Sequence, residues 1–598
     1  MLIRRLFIVL SAVVCFAVPT AVGATLLVEA ESFDDKGGWV VDQQFTDTMG
    51  SPYLLAHGLG RLVDDAVTTV TFPSTGTYRV WVRTKNWVEG PWEAPGRFKA
   101  AVGGAVLAET FGMKKGWGWQ DGGSVTISKK RVEIRLTDLT GFDGRCDAIY
   151  FDTDKSAKPL DFDADKPEVN RQWRNKLRGL PTASPDGGKF DVVIVGGGIS
   201  GCAAALAADE QGLSVALIHD RMLLGGNASS EIRVHTEGIY GQGKDILKKI
   251  DTEHYPNGSA YAIKDQQKRE KAMKAAGVMM FRPWRAYDVK MKGSKIISVD
   301  ACSTITGEAL RIRSDVFIDC TGEGWIGYWA GAEYRYGRES KKEFGEAWDK
   351  HSELWSPEKA DNRIMGSSLL WNSSKESVKS TFPEVPWAVD VAKNKSAVAG
   401  EWYWEYSDND KHAIDDAEEI RDHMLRAIYG SFYNAKKNDK NAYHKLKWVG
   451  YLSGKRESRR LIGDYIYTQK DAMSGTKFDD AVVEETRAID VHYQQTLKGS
   501  PQDFLSKALY RKVPRYYIPF RCLYSKNVDN LMMAGRCFSC SHVGLGGPRV
   551  MLTCGQMGIA TGYAASLCKK YCTNPRGVYK SHITELKGFV SNKPANDN

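Results

Sequence analysis

The sequence has no run of eighteen uninterrupted apolar residues, and that excludes an ordinary transmembrane helix. Its hydrophobic share of 42% suits large cores and is too low for a polytopic membrane protein. No Lys/Arg tract interleaved with aromatics is present, so no nucleic-acid partner is expected. The excess of charge of one sign is also small. A formal +9 over 598 residues describes a mildly basic surface, compatible with an acidic polysaccharide partner without demanding one. The 11 cysteines are irregularly spaced and define no disulfide scaffold.

What is there begins with a leader. Arg4-Arg5, the apolar stretch Leu6–Val18 and Val22-Gly-Ala24 predict a signal peptide over 1–24, cleaved after Ala24. The mature protein is expected to be exported, either periplasmic or secreted. Arg4-Arg5-Leu6-Phe7-Ile8 also resembles a degraded twin-arginine signal, which leaves the export route open.

The chain is organised around Phe190 to Asp220. Phe190–Val195 is a β-branched run suited to a buried parallel strand. Gly196, Gly198 and Gly201 follow at dinucleotide spacing, then an alanine-rich helix over Ile199 to Gly212 and a second strand, Leu213–Ile218. In such a βαβ unit the first glycine makes the turn, the second admits a pyrophosphate, and the third lets helix pack on strand. A nicotinamide-binding fold would place an acid at the end of the second strand. Here His219 holds that position, followed by Asp220 and Arg221.

The Gly225-Gly226-Asn227 element after that strand resembles the flavin-binding pattern of the glutathione-reductase and fumarate-reductase superfamily. Asp319-Cys-Thr-Gly-Glu-Gly324 resembles its ATGDG box, and Asn530-Leu-Met-Met-Ala-Gly-Arg536 its late ribityl- and pyrophosphate-contacting element. The resemblance implies FAD. It implies cofactor contacts from Gly196, Gly198, Ser200, Gly201, His219, Asp220, Arg221, Gly226, Asn227, Ser229, Thr321, Gly322, Gly535, Arg536 and Gly547. Gly322 to Gly327 also satisfies GxGxxG, and a second, nicotinamide site there is the competing reading.

Short alternating strands separated by Gly, Asp and Pro turns fill Thr25 to Asp154, as in a β-sandwich. Val-Glu-Ala-Glu31, the strand Gly76–Arg83 and Cys146–Asp152 resemble jelly-roll carbohydrate-binding modules, the golvesin-like domains in particular. That implies a sugar-stacking platform, with Trp87, Trp92, Trp117 and Trp119 as candidates and Trp81 in the core; a domain that only buttresses its neighbour is the alternative. Glu29 and Glu31 share a strand face and offer two carboxylates to Ca²⁺, although no further ligands can be named, and no metal is assigned.

The expected layout is a signal peptide (1–24), a β-sandwich (25–154), a linker (155–188) with a short helix near Val169–Leu177, and a first FAD-binding part (189–336). A substrate or cap domain (337–514) and a second FAD-binding part (515–598) complete it. The fold class is therefore α/β: a Rossmann-like FAD-binding domain with an inserted α+β substrate domain, preceded by an all-β jelly-roll sandwich. Gly337-Arg-Glu, Met365-Gly-Ser-Ser-Leu-Leu, Gly454 to Asp464 and Gly535 to Arg549 together resemble the bacterial FAD-dependent oxidoreductase family loosely labelled xanthan lyase. The resemblance implies a carbohydrate or glycan substrate and leaves the electron acceptor unknown.

Oxidising an alcohol at a flavin needs a C–H donor aimed at N5 and a group to manage the hydroxyl proton. In the superfamily the helix expected at Val550–Ala565 points at the flavin, so His542 is the first choice of base and His235, after the flavin loop, the second. Arg233 and Arg549 are candidates for holding a substrate carboxylate or hydroxyls, or the cofactor. Arg456, Glu457, Arg459 and Arg460 read as a charged helix face, and Cys537 and Cys540 as a CxxC with a lesser claim to dithiol chemistry. The leading expectation is hydride transfer from a sugar carbon to flavin. The alternatives are glycan cleavage by β-elimination, with or without transient oxidation, and glycan binding around a structural flavin.

Overall fold

The computed structural model describes residues 23–591, so all but the last two residues of the expected signal peptide lie outside the described part. Among the described residues no helix is long and apolar enough to cross a membrane.

Two antiparallel sheets form the N-terminal part. One runs in the order Val40–Asp42, Tyr53–Ala56, Gly144–Asp152, Gly76–Thr84, Gly118–Ile127, with Thr25–Glu29 also paired to Gly144–Asp152; the other in the order Ala66–Thr71, Arg131–Asp138, Phe98–Val102, Ala105–Val106. Alternation decides which side chains go in: along Arg131–Asp138 the buried apolar ones are Val132, Ile134 and Leu136. They join Phe98, Tyr78, Val80, Ile149 and Phe151 in a core shared by both sheets.

The strand Gly144–Asp152 departs from alternation, being buried at every position. Cys146, Ile149 and Phe151 face the shared core, while Ala148 and Tyr150 pack with Trp173 and Leu177. Trp173 and Leu177 belong to the helix Pro167–Arg178, at the place where the linker helix was expected. Arg145 and Asp147 lie on the outward face with charged partners from elsewhere in the chain. A strand wet on one side would need polar residues there; this one is covered on both.

The dinucleotide unit forms as read, with one change. Phe190 does not extend the first strand. Asp186–Phe190 pairs in parallel with Ala309–Ser314, at the edge of a second sheet, and only Val192–Val195 enters the parallel sheet. Ordered structure therefore resumes inside the stretch expected to be linker. The parallel sheet has the order Met279–Phe281, Val215–Ile218, Val192–Val195, Phe317–Asp319, Leu531–Met533. Trp284–Lys292, Lys295–Ser303 and Ala309–Ser314 make the meander beside it.

Behind the sheet, the helix Ile199–Glu210 packs along Met551–Lys570, and the small residues of both explain how close they come. A Cβ on Gly558 would lie 2.1 Å from the Ser200 carbonyl oxygen, and one on Gly562 2.3 Å from that of Ala204. The intervening region carries the long helix Ala417–Lys436 and several two- and three-stranded ribbons, with strands of two to six residues, rather than one large sheet.

Candidate FAD site

The glycine turn opens a cleft at the carboxyl end of the parallel sheet, where such folds bind ligands. Gly196 sits at φ +106°, with the Cys320 carbonyl oxygen 2.2 Å from where a Cβ would be. A Cβ on Gly201 would fall 1.8 Å from the Gly196 carbonyl oxygen. Gly198 is different: the nearest atom to its Cβ position is Gly226 Cα at 3.9 Å, so the missing side chain leaves room on the cleft side. Gly225 N–H donates to the Gly197 carbonyl at 2.8 Å and ties the second glycine element to the first.

His219 explains the absent acid. Its Nδ1 accepts from the Gly197 N–H at 3.1 Å while Nε2 meets the Leu223 carbonyl at 3.0 Å, so the neutral ring splints the turn from inside. Burial pushes its pKa down to about 4. Asp220 and Arg221 are left to line the cleft, and Arg221 faces Glu231 at 3.4 Å.

Of the residues expected at the cofactor, Gly196, Gly198, Ser200, His219, Asp220, Arg221, Gly226, Asn227, Thr321, Gly322, Gly535 and Arg536 line this one cleft. Gly201 lies beneath the turn, a packing position. Two do not fit. Ser229 is fully buried with its hydroxyl toward Glu231, and Gly547 packs under the Tyr516 hydroxyl. The second GxGxxG opens only the five-residue helix Trp325–Trp329, whose first amide donates to the Thr321 hydroxyl at 3.2 Å and whose next two, on Ile326 and Gly327, donate to Asp319 at 2.9 and 3.1 Å. Thr321, Gly322 and Glu323 belong to the same cleft, while Gly324 and Gly327 pack against Leu461.

The cleft fits FAD on its own terms. It joins a helix N-terminus with open glycine, an unfilled strip along Asn227 and Thr321, and guanidinium atoms awaiting partners: Arg536 Nη1 and Arg549 Nε are buried without a hydrogen bond. Lys455 lines it too and pairs with Glu323.

His542 is buried away from the cleft lining. It is 1% exposed, its Nδ1 lies 2.8 Å from Glu457 Oε2, its Nε2 3.3 Å from the Tyr493 hydroxyl, and it does not line the cleft. Glu457 belongs with Arg456, Arg459 and Arg460 to an extended segment, not a helix, and all four are buried. Arg460 bonds Glu339, and Arg456 meets Glu405 at 3.1 Å. Against burial that alone would raise it, Arg456 and His492 hold the Glu405 carboxyl down to about 2. The charged helix face expected of these four is instead a paired, internal ionic scaffold on extended backbone.

His235 does not line the cleft either, but its chain segment adjoins it. Ile232, three residues earlier, lines the cleft, and the Glu237 carbonyl accepts from Leu552 N–H at 3.0 Å, beside the cleft residue Met551. His235 Nε2 lies 3.2 Å from Glu237 Oε1, whereas Nδ1 is buried with no partner; the His254 ring stands 4.2 Å away, centroid to centroid. Arg233 adopts φ +65°, an uncommon backbone for a non-glycine residue, and stacks its guanidinium 4.3 Å from the Trp448 ring. Arg549 lines the cleft and donates to Asp490 at 3.1 Å; Asp490 in turn meets Arg487 at 3.3 Å and His492 at 3.0 Å. No local motif announced Asp490, His492 or Glu405, because what matters about them is long-range pairing.

Cys537 and Cys540 are free and buried, with thiols toward the Asp319 and Phe538 carbonyls. Burial pushes both pKa values well up, against thiolate chemistry. The tryptophans proposed as a platform make contacts within the protein. Trp87 packs edge-on to Trp387 at 5.2 Å, Trp117 Nε1 donates to Glu418 at 2.9 Å, and Trp119 Nε1 donates to the Leu160 carbonyl and packs on Trp173. Trp92 is half-buried against the Trp87 cluster, and Trp81, expected in the core, is half-buried beside Trp119. Glu29, Glu31 and Asp147 converge, and Arg174 reaches into them, 2.6 Å from both Glu29 and Asp147.

No curated protein matches the sequence. Among solved structures the chain is similar to Thermovibrio ammonificans THI4, 22% identical over 25% of this chain and 64% of that one, with a TM-score of 0.21. It is similar to a geranylgeranyl bacteriochlorophyll reductase-like protein from Thermoplasma acidophilum, 14% identical over 67% and 84%, TM-score 0.30. It is also similar to a family 35 carbohydrate binding module from Clostridium thermocellum, 16% identical over 21% and 97%, TM-score 0.18. None of these likenesses is close enough to bear on substrate. The sequence profile of the family described as FAD dependent oxidoreductase matches residues 191–588, from the first strand of the parallel sheet almost to the end of the described chain. With that match and the cleft built by Gly196–Gly198, Thr321 and Arg536, the chain belongs to the FAD dependent oxidoreductase family, and FAD is its cofactor.

Proposed function

We propose that this is an exported oxidoreductase that removes a hydride from a hydroxyl-bearing carbon of a carbohydrate or glycoside. Bound FAD supplies the hydride acceptor, at its N5. Gly196–Gly198 and Arg536 would hold the dinucleotide, and Asn227, Lys455 and Arg549 its flavin-bearing half. His235 takes the hydroxyl proton on Nδ1 as the carbon becomes a carbonyl, and Glu237 at its Nε2 steadies the charge that results. Arg549, anchored by Asp490, offers donors to the sugar's oxygens. Beside them Arg233, Trp402 and Trp448 join an aromatic surface to a cation, chemistry that suits the C–H face and hydroxyls of a sugar ring.

The observation that carries this reading is the orphaned Nδ1 of His235, three residues on from the cleft residue Ile232. The Arg4–Ala24 segment supports export. Mixing the flavoprotein anaerobically with mono- and oligosaccharides tests the reading. Stoichiometric bleaching of the flavin by one class of sugar supports it. A product formed with the flavin unchanged and no acceptor consumed indicates elimination instead, and glycan binding with inert flavin removes the enzymatic reading altogether.

A further inference from the structure

The N-terminal β-part reaches into the cofactor cleft. Between the strands Val40–Asp42 and Tyr53–Ala56 the chain makes a short excursion ending in the one-turn helix Thr46–Met49. Phe45 and Met49 are buried there with Ala417 and Tyr451, and the Arg421 guanidinium lies 4.9 Å from the Phe45 ring. The excursion is thus pinned to the flavoprotein body and presents two polar side chains to it.

Gln44 is one of them, and it lines the cleft. Its Nε2 donates to the Tyr451 carbonyl at 3.0 Å and its Oε1 accepts from Ser453 N–H at 2.7 Å. Asp42 Oδ1 accepts from both the Gln44 amide N–H and Nε2, fixing the rotamer. A side chain that pairs with two backbone groups over 400 residues away behaves as a strand's worth of pairing would, and what it fixes is the wall Leu452–Lys455. Asp47 is the other. It forms an ion pair with Arg285, which lines the cleft and lies 5.8 Å from the ring of another lining residue, Trp325. One excursion therefore holds two cleft walls, 284–286 and 452–455, that belong to different parts of the flavoprotein.

We propose that the segment 42–49 of the β-part is itself a wall of the FAD site, with Gln44 and Asp47 as residues that retain the flavin. A domain carried only to recognise glycan would not contribute a side chain to the dinucleotide cleft. The proposal takes the cofactor as given and is independent of which substrate is oxidised.

Amide hydrogen exchange of the full chain, with and without added FAD, tests it. The proposal expects FAD to slow exchange both in 196–201 and in 42–49. Slowing in 196–201 alone overturns it while leaving the glycine turn as the FAD site; slowing in neither overturns that assignment as well. Full-chain Gln44→Ala and Asp47→Ala, titrated with FAD as apoproteins, give the second measurement. A dissociation constant raised about tenfold or more, with the apoprotein melting close to wild type, is the expected result. Unchanged FAD affinity in both variants overturns the proposal. Should either variant fail to fold, the exchange pattern of the unaltered chain decides.

Discussion

Arg145, on the fully buried strand of the N-terminal sheet, meets Asp422 of the helix Ala417–Lys436 in a two-pronged pair, Nη1 at 2.9 Å and Nη2 at 2.5 Å from the two carboxylate oxygens. Arg145 also donates to Glu418 at 2.6 Å, and Glu418 takes Lys85 and Trp117 from the same β-part. Arg421 answers in the opposite direction, donating to Asp42 at 2.7 Å and to the Tyr53 hydroxyl at 2.9 Å. Charges so buried are held in register by one another, and a missing partner strands the rest.

Arg145→Leu is therefore expected to destabilise the whole chain by about 3–5 kcal/mol, since two carboxylates each lose one of their cations in a dry interface. The denaturation midpoint should fall for probes in both halves together. A loss confined to the β-part would show that the two halves unfold separately.

The glycine turn separates binding from folding. At Gly198 a methyl group meets no protein atom within 3.9 Å, so Gly198→Ala should fold but lose FAD affinity by an order of magnitude or more, the methyl standing where the pyrophosphate must approach. At Gly201 a methyl group falls 1.8 Å from the Gly196 carbonyl oxygen, so Gly201→Ala should lower the melting temperature even of the apoprotein. Flavin stoichiometry and apoprotein melting, measured on both variants, distinguish the two.

Much of this was legible in the sequence. Local chemistry dictates the βαβ unit: β-branched strands, three spaced glycines and an alanine-rich helix allow few alternatives. The flavin-site segments Gly225–Asn227, Asp319–Gly324 and Gly535–Arg536 meet in the structure as their resemblance implied. What could not be read was partnership at long range. Glu457 and Arg460 have the spacing of a charged helix face and instead lie on extended backbone, buried where Glu339 and His542 come from elsewhere to meet them. Trp87 and Trp117 sit in glycine-rich loops, as sugar platforms do, yet their neighbours are Trp387 and Glu418. Gln44 carries no local signal at all.

His219 makes the turn sensitive to acid. Its folded pKa is depressed from about 6.5 to about 4, so between those values the unfolded chain holds the extra proton. The stability it lends is present above pH 6.5 and is lost as pH falls toward 4, when a charged Nδ1–H would face the Gly197 N–H. Melting temperature and flavin retention should both decline through that window. In His219→Gln the decline should flatten, whatever the variant's starting stability, and an unchanged slope would assign the acid sensitivity to another group.

The two histidines make opposed predictions. His235→Asn leaves the cleft walls intact and removes the proton acceptor, so FAD should still bind while its reduction by substrate slows by about 10²–10⁴-fold. The deficit should shrink at high pH, where hydroxide or an ionised substrate hydroxyl replaces the base. His542→Gln removes a ring wedged between Glu457 and Tyr493 and should cost stability before it costs rate: a lower melting temperature, with flavin reduction per bound FAD falling less than for His235→Asn. Stopped-flow reduction normalised to bound flavin separates the effects. If the histidine at 542 proves the more damaging loss per bound flavin, the proton passes through the buried scaffold and not through the face lined by Ile232 and Met551.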